Sequence, residues 1–233
     1  MIATWKQYRY DIEMTSIENF KNPAEKVVDV AIRLHSRNLL SAADGNISIK
    51  VSSDKILVTP SGVAKAKINW ADLACVNLNG ETIWGQPSSE ILMHLEIYRQ
   101  CSGAEAVIHA HPPTAIAWTI AHPYLKKLPS ECLSEVILAT GDIPFVPYAR
   151  PGTIEMAEVI KKYLPDHKAL ILKNHGALTW GESLEECYLG MERIENSAQI
   201  LHLAKQLGQI HSLPEQEIEY LYTLRKKIGN KLL

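Results

Sequence analysis

"EAVIHAHPPTAIAW" occupies residues 105–118. Its reading decides the fold. Ala106, Val107 and Ile108 start an apolar strand, and the prolines at 112 and 113 end it. "PTAIAWTIA" then reads as a helix begun by proline. Alternate side chains of a strand share a face, so His109 and His111 point the same way, a few ångströms apart. Two neutral imidazoles so placed can chelate a divalent metal. Taken alone, the pair fits a wet strand end as well as it fits a metal site.

The flanking sequence alternates strands and helices. In "NPAEKVVDVAIRLHSRNLL" the residues Val27, Val28, Ala31, Ile32, Leu34 and Leu39 fall near a helical period, with Asn22-Pro23 as the start. "GNISIKV" and "KILVTPSG" read as strands joined by Ser52, Ser53 and Asp54. "DLACVNLNGETIWG" reads as a hairpin turning at Asn79-Gly80. "SSEILMHLEIYRQC" is a helix that Ser88 or Ser89 caps, with Glu90 in its first turn and Ile91, Leu92, Leu95 and Ile97 on its apolar face. "ALILKNHGALTWG" is a strand running into a loop. A long helix covers Ser183–Leu207, with Ser183 as cap and Glu186 at the capping-box position. A last helix covers Pro214–Ile228. Short hairpin strands interleaved with helices predict an α/β fold: one domain over residues 1–233, a largely antiparallel central sheet flanked by helices, and a polar extension at 1–22.

The chain has 233 residues, 46% hydrophobic and 21% charged, which suits one sizeable globular domain. A formal net charge of −2 offers no basis for a nucleic-acid groove or an anionic membrane surface. No stretch is long and apolar enough to span a bilayer, and "MIATWKQYRYDIEM" lacks the apolar core of a signal peptide. Cys75, Cys101, Cys132 and Cys187 are scattered without a C-x-x-C pair. They read as reduced thiols of a cytoplasmic protein.

A third histidine changes the weight of the first two. His175 lies where the apolar run of "LILKNHGAL" ends, between Asn174 and Gly176. Three histidines at strand ends make a plausible set of metal ligands with an open coordination position. Glu90 is either a carboxylate favoured near a helix start or a metal ligand and base. Position alone does not decide. "DGNIS", "TPSG" and the Ser88-Ser89 turn are each everyday turns. Together they offer amides and hydroxyls that could cradle a phosphate.

"GNIS", "TPSG", "PSSE", "AVIHAHP", "IPFVPYARPGT" and "NHGALTWG" stand in an order and spacing that resembles the class II aldolase/adducin family. The resemblance covers about residues 25–210 and points within the family to fuculose-phosphate aldolase-like sugar-phosphate aldolases. It implies a zinc enzyme, manganese or cobalt being alternatives, that cleaves a ketose 1-phosphate into dihydroxyacetone phosphate and an aldehyde through a metal-stabilised enediolate. By this resemblance His109, His111 and His175 are metal ligands, and Glu90 is the base that also ligates the metal when substrate is absent. Asn46, Ser61, Gly62, Ser88 and Ser89 bind the phosphate. The resemblance also implies a homotetramer with active sites between subunits.

Two positions depart from the family pattern. Fuculose-phosphate aldolase has a tyrosine acid from a neighbouring subunit near where this chain has Glu135. That glutamate reads as a catalytic acid, as in the methylthioribulose-phosphate dehydratases of the family, or as an exposed edge-strand charge. Asp44, beside Gly45-Asn46, is unfavourable next to an anion. It either points to solvent or marks an anion held differently. A dehydratase, an epimerase or a decarboxylase of the same family is the alternative activity. A non-catalytic adducin-like interaction module is the alternative from another class.

Overall fold

The computed structural model describes residues 18–229, 231 and 232. Most of the extension read at 1–22 therefore lies outside the described residues. Helix α1 (Lys21–Ser36) leads into β1 (Asn46–Lys50), β2 (Lys55–Val58), β3 (Ala74–Asn77) and β4 (Thr82–Trp84). Helix α2 (Ile91–Gln100), β5 (Ala106–Ala110) and α3 (Pro113–Ala121) follow. Next come α4 (Ser134–Ala139), β6 (Phe145–Val146) and α5 (Ile154–Lys161). The hairpin β7 (Ala169–Leu172) and β8 (Gly176–Gly181) precedes the long α6 (Leu184–Leu207) and α7 (Glu215–Ile228).

The eight strands form one sheet in the order β4-β3-β2-β1-β5-β8-β7-β6. All neighbours are antiparallel except β6 and β7, which run parallel. The largely antiparallel α/β sheet expected from the sequence is therefore what forms. Strand alternation divides the core between the two faces of the sheet. Leu57 and Ile108 pack with Val27, Leu34, Met191 and Ile194 of α1 and α6. Their neighbours Ile56, Val58 and Val107 pack on the other face with Met93 and Ile97 of α2 and Ile160 of α5. Each such buried side chain contributes about 1.5–3 kcal/mol. His109 has the parity of Val107, which turns it toward the α2 side.

Four local readings need correction. Helix α2 begins at Ile91, not at the serines, and Glu90 is its N-cap residue with φ −97° and ψ 15°. The Ser88 hydroxyl accepts from the Glu90 N–H at 3.3 Å and makes no cap to the helix itself. Around Ser183 the expected capping box is half made. Ser183 accepts from the Glu186 N–H at 3.1 Å, but one Glu186 oxygen takes the Glu182 N–H at 2.6 Å and the other takes the buried Lys168 ammonium at 2.9 Å. A buried cation is costly without a partner, so Lys168 wins that oxygen. Glu135 stands on a short helix, α4, and not on an edge strand. The last helix starts one residue later than expected, with Pro214 as its N-cap.

No described helix is long and apolar enough to cross a membrane. All four cysteines are free.

Candidate active site

His109 is the penultimate residue of β5, and His111 follows the strand end. Their ring centroids lie 4.9 Å apart. His175 enters from the turn between β7 and β8, with its ring 4.7 Å from His109 and 5.4 Å from His111. Asn174 makes that turn with φ 58°, a left-handed conformation that asparagine tolerates. Gly176 then lets the strands close. A Cβ there would lie 2.6 Å from the Ala110 carbonyl, 2.7 Å from His109 Cε1 and 2.8 Å from His111 Cδ2.

Glu90 closes the group from the α2 side. Its Oε2 is 3.3 Å from His109 Nε2, and its Oε1 is 3.2 Å from His175 Nε2. The ring nitrogens can be assigned from their partners. His109 Nδ1 donates to the Ala177 carbonyl at 2.9 Å, which leaves the lone pair on Nε2. Asp44 Oδ2 stands 3.9 Å from His111 Nδ1 and favours a proton there. Two bare nitrogens, His109 Nε2 and His111 Nε2, then face each other at 3.1 Å. Such an arrangement calls for a cation between them. Ligands held at about 2.0–2.2 Å from one divalent ion stand roughly 3–3.5 Å from each other. The separations of 3.1, 3.2 and 3.3 Å fit that spacing. Glu90 Oε1 is buried without a hydrogen-bond partner, as an oxygen waiting for a metal would be.

The electrostatics agree. Burial, reinforced by the nearby charge of His109 and His175, pushes His111 down to about 3. Burial works against ionisation of Glu90, but the adjacent His109 and His175 outweigh it and hold the carboxyl well below its usual range.

Beside this group opens a cleft of ≈ 450 Å³. Its walls include Asn46, Ser61, Gly62, Ser88, Ser89, Glu90, His111 and His175. The turns read as a cradle therefore meet in space, although they are far apart in sequence. Pro151 and Gly152, from the "ARPGT" segment, complete the rim. Asp44 also lines the cleft, but it is exposed, and its carboxylate faces His111. Glu135 is exposed on α4 and is not among the lining residues. A larger surface cleft of ≈ 720 Å³ lies between α1 and the start of α6. Its charges Arg33 and Glu185 are already paired, and no histidines converge there.

Sequence reading missed Lys65. Its side chain is fully buried in the cleft wall, and its ammonium donates to the carbonyls of Ala43, Pro60 and Val63 at 2.9, 3.2 and 2.8 Å. It joins the loop before Asn46 to the Ser61-Gly62 turn. Burial lowers its pKa, while Asp44 and Glu90 act in the other direction. Nothing in "VAKAKIN" separates Lys65 from a surface lysine.

A sheet of this order with three imidazoles and a carboxylate at its centre defines a class of protein. Residues 25–202 match the family described as Class II Aldolase and Adducin N-terminal domain, and the chain belongs to it. It is 31% identical over 185 residues to the 3-oxo-tetronate 4-phosphate decarboxylase of Escherichia coli, covering 77% of this chain and 85% of that one. It is 32% identical over 179 residues to the L-fuculose phosphate aldolase of Methanococcus vannielii, covering 77% of this chain and 95% of that one. The crystal structure of YgbL from Escherichia coli superposes with a TM-score of 0.81 at 29% identity, over 87% of this chain and 98% of that one.

Proposed function

We propose that the chain is a metal-dependent aldolase that cleaves a ketose 1-phosphate into dihydroxyacetone phosphate and an aldehyde. The convergence of His109, His111, His175 and Glu90 beside the Ser61-Gly62 and Ser88-Ser89 turns carries this reading. In it the three imidazoles and Glu90 hold one divalent ion, zinc by preference for nitrogen ligands, with manganese or cobalt as substitutes. When bound, that ion supplies an electron sink for the ketose carbonyl.

The residues of the chain do the rest. Glu90 takes the proton from the hydroxyl next to the breaking bond, and the carbon–carbon bond then opens toward the carbonyl. Asn46 donates to Glu90 Oε2 at 2.9 Å and keeps the carboxylate turned into the site. One amide hydrogen is used there, and the second remains for the substrate phosphate. Ser61, Gly62, Ser88 and Ser89 receive the phosphate through hydroxyls and backbone N–H groups, with the Lys65 charge beneath them. Glu135 supplies the acid to a neighbouring subunit's cleft in a homotetramer. The free thiols fit a reducing compartment such as the cytoplasm. A complete ligand set favours catalysis over an adducin-like interaction role.

Substituting Ser89→Asp is expected to raise KM for the phosphorylated substrate about tenfold or more, since a like charge would sit beside the anion, with metal content unchanged. An unchanged KM would move the cradle elsewhere.

A decarboxylase of a 3-oxo-acid phosphate is the second reading, supported by a relative named for that activity at 31% identity, against 32% for the aldolase. Both reactions leave the same charge on the retained fragment. They differ in what departs, an aldehyde or carbon dioxide. Product analysis by NMR with metal-loaded protein and both substrate classes separates them. Two carbonyl fragments from the ketose 1-phosphate support the aldolase, whereas turnover of the 3-oxo acid alone overturns it.

A further inference from the structure

We propose that His94 is a positioning residue for Glu90, acting through a buried chain of hydrogen bonds with a single donor direction. The inference rests on Glu90 being the base. Asn46 and Ser48 alternate on β1, on one face of the strand, while His94 and Tyr98 stand one turn apart on α2. The four side chains interlock. His94 Nε2 lies 2.5 Å from Asn46 Oδ1, and His94 Nδ1 lies 2.7 Å from Ser48 Oγ. Ser48 Oγ lies 2.9 Å from the Tyr98 hydroxyl. All four residues are buried, His94 and Ser48 completely.

The donors assign themselves. An ionised carboxylate only accepts, so Asn46 turns its nitrogen to Glu90 and its oxygen to His94. His94 must then carry its proton on Nε2. Its bare Nδ1 takes the Ser48 hydroxyl, and the Ser48 oxygen takes the Tyr98 hydroxyl. Both hydroxyl hydrogens, the ring hydrogen and one Asn46 amide hydrogen are used, and each of these donors points toward Glu90. The opposite direction would set the Asn46 carbonyl against a carboxylate. Burial, with His109 acting in the same direction and the Glu90 carboxylate against them, lowers the His94 pKa to about 3, so the ring is neutral. His94 touches no reacting atom. It fixes which end of Asn46 faces Glu90, and so which way the carboxylate lies.

Long-range nitrogen–proton NMR of metal-loaded wild-type protein reads the tautomer without reference to activity. The proton is expected on Nε2, and a proton on Nδ1 overturns the inference. In kinetics, His94→Leu is expected to lower kcat about 10–100-fold, as losses of orienting partners do, with KM within about twofold and metal retained. His94→Gln keeps a donor at the Nε2 position and should recover most of the loss. If His94→Gln is as impaired as His94→Leu, or if His94→Leu is unimpaired, the inference fails. Should His94→Leu not fold, Ser48→Ala decides. It frees Nδ1 to take the proton and should lower kcat several-fold, whereas unchanged kcat overturns the inference. Failure of the parent reading looks different, because Glu90→Gln would then keep full activity while the His94 tautomer stayed as assigned.

Discussion

Purified His109→Ala protein is expected to hold less than about a tenth of the divalent metal that the wild-type chain carries. The expectation follows from the ligand count. The loss of one imidazole takes the set from four donors to three, two neutral ligands and a carboxylate, and each donor lost weakens a chelate steeply. His109 is also the most enclosed of the three, with its Nδ1 fixed by Ala177. Its loss removes that hydrogen bond, at about 0.5–1.5 kcal/mol, which a domain with this much buried apolar surface should survive. Metal content by elemental analysis, with circular dichroism to confirm folding, is the measurement. Full metal occupancy in the variant would remove His109 from the ligand set. A matching effect follows from linkage. A ligand bound only by the folded chain stabilises it by about 2.7 kcal/mol at a hundred times Kd, so chelation of the wild type should lower its Tm, and chelation of the variant should not.

Glu90→Gln should lower kcat by about 10²–10⁴-fold, the usual worth of a general base. Glutamine preserves the size of the side chain and an oxygen for Asn46, so folding and phosphate binding should be little altered. The same substitution tests the reaction class, because loss of carbon dioxide needs no base at a hydroxyl. A variant that loses aldol cleavage and keeps decarboxylation would identify the second activity. Glu135→Gln should be comparably damaging if its carboxyl group serves a neighbouring cleft. Mixing the two inactive proteins should then restore some turnover, since some sites would combine an intact Glu90 with an intact Glu135. With subunit exchange demonstrated, no recovery would take Glu135 out of the mechanism.

Most of the sheet and the histidine cluster can be read from the sequence because both obey short-range rules. The two-residue period of β5 places His109 beside His111. Gly176 and Asn174 mark the turn that delivers His175. Asn79-Gly80 marks the β3–β4 turn, where the Gly80 N–H bonds the Asn77 carbonyl at 2.9 Å. The start of α2 was misplaced because Glu90 is drawn to two imidazoles from distant strands, a tertiary pull that no cap preference encodes. Lys65 and His94 were missed for the same reason. Each is defined by burial and by partners 22 and 48 residues away at the farthest. Glu186 shows the limit of a local motif. It stands at the capping-box position, yet its carboxylate answers to Lys168 and to the Glu182 N–H.

The two outer strands of the sheet are its shortest, three residues in β4 and two in β6. Such an edge presents too few free amides and carbonyls to template a further strand. The buried, apolar strands β5, β7 and β8 sit inside that border, where another chain cannot readily reach their backbones. Growth into cross-β aggregates would first require stripping an outer strand away. Colloidal stability in a crowded solution is thus set at the margins of the sheet, while the chemistry is assigned to its centre.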